Sequence, residues 1–170
     1  IDLNLNYSFP NIDFKSNVAF EYSWNVNPHE KINFREYYLS YYPFFGEINI
    51  GKQIISWGFA DGNNPTDNIN PYDFNYMFSS GVNRKIGIHS ISSIIYYNDF
   101  KLNLIISYNQ FKHNFNSQIP FECFIYGSQE DGSCSNEPEF NKHTEYGLDF
   151  QYSMNQAEIG ISYFNGKDRF

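Results

Sequence analysis

The chain contains no run of 18 or more apolar residues, so it offers no segment able to cross a bilayer as a helix. That absence says nothing about barrel strands, whose hydropathy signal is much weaker. Alanine is scarce, which argues against long helices. Basic residues are also few. Eleven Lys and Arg stand against 19 Asp and Glu, a net charge of -8. There is no basic stripe to release counterions from phosphates, so nucleic acid is not an expected partner. The sequence has no Gly-x-Ser-x-Gly elbow, phosphate loop or dinucleotide fingerprint. His29, His89, His113 and His143 are scattered, and none belongs to a convincing Ser–His–acid set. No enzyme, catalytic residue or organic cofactor is therefore expected. An initiator Met is missing and Ile1 already sits in an alternating run, as in a processed, trimmed or fragmentary N-terminus.

Rings are abundant. Fifteen Tyr and 18 Phe coexist with a mean hydropathy of -0.54. That combination fits strands with one apolar, ring-rich face and one polar face. Ile1, Leu3, Leu5, Tyr7 and Phe9 alternate with Asp2, Asn4, Asn6 and Ser8, a strict period of two. Pro10-Asn11 turns the chain. A long second strand keeps Ile12, Phe14, Val18, Phe20, Tyr22, Trp24 and Val26 on one face. A third runs from about Asn33 to Tyr42 and a fourth from about Glu47 to Trp57. In the fourth, Lys52 follows the apolar phase and Trp57 the polar one, a break that a bulge would re-phase. The fifth, Lys85 to Tyr97, alternates less cleanly, with Ile86, Ile88, Ile94 and Tyr96 on its apolar side. Asn98-Asp99 is a two-residue hairpin turn. Three further strands carry Leu104, Leu148 and Ile159 among their apolar residues.

The connections sort by length. The first, third, fifth and seventh are tight; the second, fourth and sixth are longer. Long loops are expected at about 58–84 and 112–141. In an up-and-down meander alternate connections share an end, and outer-membrane barrels have short periplasmic turns and long extracellular loops. The expected fold is therefore all-β: an antiparallel up-and-down transmembrane β-barrel. One domain spans 1–170, with about eight strands present, as a fragment of a larger barrel. Pro10, Phe44, Asp99 and Asn155 would face the periplasm, and Asp67 and Cys134 the outside. The apolar face would meet the lipid bilayer, with Tyr7, Trp24, Tyr41, Tyr108 and Tyr152 at the interfaces. A wet lumen would carry Asp2, Asp13, Lys15, Glu21, Glu47, Asn49, Lys101, Asp149 and Glu158. Carboxylates outnumber lysines on this face, so a passive channel for small solutes would favour cations. The competing readings are a small closed barrel acting as an anchor or surface-binding protein through its long loops, and a secreted soluble β-sandwich with the rings in its core.

One segment carries a resemblance. Gly51-Lys52-Gln53, Trp57-Gly58, Asp61, Asp67 and Asn70-Pro71-x-Asp73 resemble a segment of a poorly characterised family of porin-like Gram-negative outer-membrane barrels. Gly160 to Asp168 is similar to a strand-to-loop piece further along such barrels. The resemblance implies an outer-membrane location, more strands than are present here, and transport or an undefined outer-membrane role. Physically, Asp and Asn before Pro or Gly make turns by bonding their own backbone. The loop would then be a folded plug or rim held by Asp61, Asp67 and Asp73. The same three carboxylates are the alternative Ca²⁺ ligands, although their spacing is not that of an EF-hand. Cys123 and Cys134 lie in one acidic loop. In an oxidising compartment they form a disulfide, adding ~3 kcal/mol in the chain-entropy model. No His or third Cys stands nearby at metal-ligand spacing.

Overall fold

A computed structural model describes residues 1–23, 29–56, 68–76, 84–108, 143–155 and 157–166. Trp24, Trp57, Gly58, Asp61, Asp67, Cys123 and Cys134, and with them the disulfide and most of the calcium set, lie outside these. The described residues form one eight-stranded antiparallel sheet whose order follows the sequence. The strands are β1 (Asp2–Ser8), β2 (Ile12–Ser23), β3 (His29–Tyr41), β4 (Gly46–Gln53), β5 (Ile88–Tyr97), β6 (Phe100–Ser107), β7 (Glu145–Met154) and β8 (Ala157–Asn165). A 3₁₀ turn at Phe74–Tyr76 is the only helical element among the described residues. The sheet is a meander and not a pair of stacked sheets. It does not close, so β1 and β8 each keep one unpaired edge.

The tight turns form as the sequence indicates. Phe9 N–H bonds Ile12 C=O at 2.7 Å around Pro10-Asn11. Tyr97 pairs with Phe100 across Asn98-Asp99, where Asn98 adopts φ 50°, a left-handed value that Asn tolerates. Met154 pairs with Ala157 around the last turn. All the tight connections lie at one end of the sheet and the long ones at the other.

Burial inverts the soluble habit. Leu5, Phe20, Leu104 and Ile159 are 49, 45, 36 and 54 % exposed. They share the apolar face with Leu3, Ile50, Ile91 and Leu148, all exposed. The opposite face is polar and buried: Ser40, Asn49, Gln53, Ser92, Asn103 and Ser107 lie there, with Asp149 at 2 % and Glu145 at 1 % exposure. Among the described residues the one cluster of buried apolar side chains, Ile69, Ile88 and Ile105, also lies on the polar side, with Ile55 and Phe164 against it.

Two strands depart from the simple alternation. In β3, Asn17 of β2 pairs with Glu36 and Val18 with Phe34, leaving Arg35 as an extra residue. This bulge lets Ile32 and Phe34 share the apolar face with Tyr37, Leu39 and Tyr41. The phase break therefore lies in β3. β4 stays regular and ends at Gln53, four residues before Trp57, so Lys52 keeps the apolar phase opposite Tyr37 and His89. In β5 the expected face is reversed. Ile91, Ile95 and Tyr97 take the apolar side, while Ile88, Ile94 and Tyr96 alternate with them. Ile88 is polar-side because Ile69 packs over it. The third strand also begins at His29, earlier than its pattern indicates.

Candidate functional site

Residues 68–76 fold back onto the sheet's polar face, between the end of β4 and the start of β5. One side chain fixes this. Asn70 is 1 % exposed. Its Oδ1 accepts from Ile55 N–H at 2.7 Å. Its Nδ2 donates to Gln53 C=O at 3.2 Å and Ile86 C=O at 2.8 Å. A carboxamide suits the place because it offers one acceptor and two donors at once. Backbone bonds continue the tie: Ile86 N–H to Pro71 C=O at 2.8 Å, and Asp73 N–H to Arg84 C=O at 2.7 Å. Tyr72 and Lys85 form an isolated bridge. Among the described residues, segment 68–76 is thus tied to the sheet by Asn70 and by backbone pairing; Asp61 and Asp67, two of the three expected carboxylate fasteners, lie outside the described residues. Asp73 takes part through its backbone N–H.

Gly51 belongs to the same structure. Its φ is +142°, a value that L side chains rarely adopt. A Cβ there would collide with the Tyr37 carbonyl oxygen and lie 2.7 Å from Tyr38 Cα. Gln53 carries the pattern across the sheet. Its Nε2 donates to Ser90 C=O at 3.1 Å, and its Oε1 accepts from Ser92 Oγ at 3.0 Å.

The loop's far end docks on β2 and β3. Glu21 Oε1 accepts from Asn33 Nδ2 at 3.2 Å and lies 3.9 Å from Arg35 Nη2. Tyr76 hydrogen-bonds the same carboxylate. Burial, then this bond and the Glu21 charge, raise the Tyr76 hydroxyl above its ordinary pKa of 10.0. The Arg35 guanidinium stands 5.5 Å from the Tyr76 ring centroid and Arg84 5.4 Å from that of Tyr72.

Beside this dock is a cavity of about 200 Å³ lined by Lys31, Arg35, Lys52, Lys85, Asn33 and Asp73, among others. Lys52 Nζ reaches Phe34 C=O at 2.6 Å, and Lys85 Nζ reaches Ser56 Oγ at 3.0 Å. Among the described residues, four cations line this space at the loop end with one carboxylate, Lys52 reaching it from the apolar phase of β4. Among the described residues no group of three or more His, Cys, Asp or Glu is placed to hold a metal ion.

The other sequence-selected polar residues lie apart from this cavity. Asp149 Oδ2 accepts from Asn103 Nδ2 and Gln151 Nε2, both at 2.7 Å. Such charge-assisted bonds are among the stronger ones in proteins. Asp13 accepts from Tyr42 Oη at 3.0 Å, and Lys15 Nζ donates to the same hydroxyl at 3.1 Å. Asn49 is buried and Glu47 and Lys101 half-buried, whereas Asp2 and Glu158 are exposed on the edge strands. The sequence list omitted Glu145, which accepts from Ser107 Oγ at 3.2 Å. Its place as the first polar residue of the β7 alternation, in phase with Gly147 and Asp149, is the signal that could have found it. Ser40 Oγ, Asn49 Oδ1, Ser90 Oγ and Asn103 Oδ1 are buried with no hydrogen-bond partner among the described residues.

No family model, no curated protein and no solved structure matches the chain.

Proposed function

We propose that the chain forms part of the wall of a porin-like β-barrel in a Gram-negative outer membrane, through which small solutes diffuse. The observation that carries this reading is the inversion of the two faces. Monomeric soluble proteins rarely expose apolar patches beyond a few hundred Å². Here large apolar side chains from every strand stand exposed on one side. Fully burying each would contribute about 1.5–3 kcal/mol, so this surface requires a cover, and hydrocarbon tails are the cover that suits a whole sheet face.

Other features agree. β2 and β3 have 12 and 13 residues, above the roughly 9–11 a tilted strand needs to cross a bilayer. Tyr7 and Tyr41 stand exposed near the tight-turn end and Tyr108 at the loop end, where interfacial girdles lie. The buried polar atoms without partners among the described residues fit a wet lumen, where water satisfies them. The open edges of β1 and β8 are not tolerated in lipid, which favours closure through further strands of a larger barrel. The likeness of the Gly51–Asp73 segment to porin-like barrels points the same way, and the folded-back loop would narrow the lumen at its outer end.

The test is reconstitution of the full chain in planar bilayers. Stepwise conductance is expected. A protein that inserts and shows heat-modifiable gel migration without conductance would instead be an anchor or surface-binding barrel. A protein that stays monomeric in buffer without detergent would refute the membrane reading.

A further inference from the structure

We propose that the loop-side cavity is a binding site for a small dianionic solute, a dicarboxylate or a phosphate. The chain carries 11 Lys and Arg against 19 Asp and Glu, yet four of those cations converge on one space. Lys31 and Arg35 come from β3, Lys52 from the end of β4 and Lys85 from the loop segment before β5. Among the described residues Asp73 is the one carboxylate lining it, and Glu21 lies 3.9 Å from Arg35. Like charges held together repel, and the arrangement is relieved by an anion between them.

The donor chemistry selects the anion. An ammonium has three protons, and the bond from Lys52 Nζ to Phe34 C=O uses one of them. Ammonium groups act as compact point charges, while a guanidinium offers a planar fork matched to carboxylate or phosphate oxygens. Asn33 adds an amide, although its Nδ2 already serves Glu21. A cation is repelled by this lining. The volume, about 200 Å³, admits a small organic acid or phosphate. The β3–β4 pairing covers only Tyr37 to Tyr41, so above it β3 parts from β4 and the opening lies between them.

This proposal does not rest on conduction, because binding is measured on the folded full chain in detergent. Calorimetric titration with inorganic phosphate and with succinate, at constant chloride and ionic strength, is expected to give saturable one-site binding of at least one probe. Phosphate alone would mark a phosphate site, succinate alone a dicarboxylate site, and both a general dianion site. Lys52→Met and Lys31→Met should each weaken binding ~10-fold or more, the scale of one lost charge-assisted hydrogen bond. Asp73→Asn should tighten it. Lys101→Met, toward the other end of the sheet, should leave it unchanged. Lys31 is exposed on its strand, so its variant keeps the test open if the Lys52 variant does not fold. Absence of saturable binding for both probes, or equal weakening by Lys101→Met, overturns the proposal.

Discussion

Leu104→Lys separates lipid from water as the medium on the apolar face. Leu104 is the fifth of eight residues in β6 and pairs with Leu148 and Ser93. It stands 36 % exposed on a face of Ile, Leu and aromatic neighbours. In water, a lysine at such an exposed position changes stability by no more than about 0.5 kcal/mol. At the midplane of a bilayer the same lysine costs about 2–4 kcal/mol, on the order of a hundredfold in the folding equilibrium. Geometry adds a gradient. Two residues along a strand rise about 6.8 Å, or about 5 Å of depth at ~45° tilt. Ile106 is therefore about 5 Å shallower than Leu104, and Tyr108 about 10 Å shallower, close to the edge of a ~25 Å apolar band. Lysine substitutions at the three positions should cost progressively less, reaching about 0–1 kcal/mol at Tyr108. The measurement is reversible guanidinium unfolding in lipid vesicles, followed by tryptophan fluorescence, with gel migration as a second probe. Three equal values, or a Leu104→Lys variant as stable as the parent in vesicles, would refute the lipid-facing assignment.

Further expectations follow from the loop. Asn70→Ala removes three hydrogen bonds and leaves three backbone groups unsatisfied; at about 1 kcal/mol each the loss is about 3 kcal/mol, measured by denaturant unfolding. Limited proteolysis of this variant should cut within 54–87, and unchanged protection would show that the side chain is not the pin. Tyr76 has a raised folded-state pKa, so the stability it confers is complete below its ordinary value of 10.0 and is lost as the pH climbs toward the folded value. Thermal melts of Tyr76→Phe should show a shallower alkaline decline than the parent, and identical slopes would exclude the contribution.

Much of the architecture was legible from residues alone. The alternation in β1, β7 and β8 specified strands and faces directly, because a period of two leaves one register for Leu5, Leu148 or Ile159. The sorting of tight and long connections gave the meander. What escaped had physical reasons. The β3 bulge sits where Arg35 and Glu36 are both polar, so two consecutive polar residues resemble an ordinary strand that begins later. The phase break was sought in β4, because Lys52 is conspicuous among apolar neighbours. Ile88 could not be assigned to the polar side, since its partner Ile69 arrives from a loop 19 residues away. The role of Asn70 was hidden for a similar reason: a turn-forming Asn before Pro looks the same as one that bonds three distant backbone groups. The basic cavity draws on β3, β4 and the loop before β5, so no window of sequence contains it.

The strictly sequential pairing has a consequence for how such a wall changes over time. Each strand bonds only to its neighbours in sequence, so the repeating piece is a single β-hairpin. Duplicating or deleting one such piece leaves every other pairing intact and alters only the circumference. In the proposed barrel a lineage built on this plan would widen or narrow its bore by whole hairpins, while the inward-folded segment, which meets the consecutive strands β2 to β6, would travel unchanged as long as that block is kept.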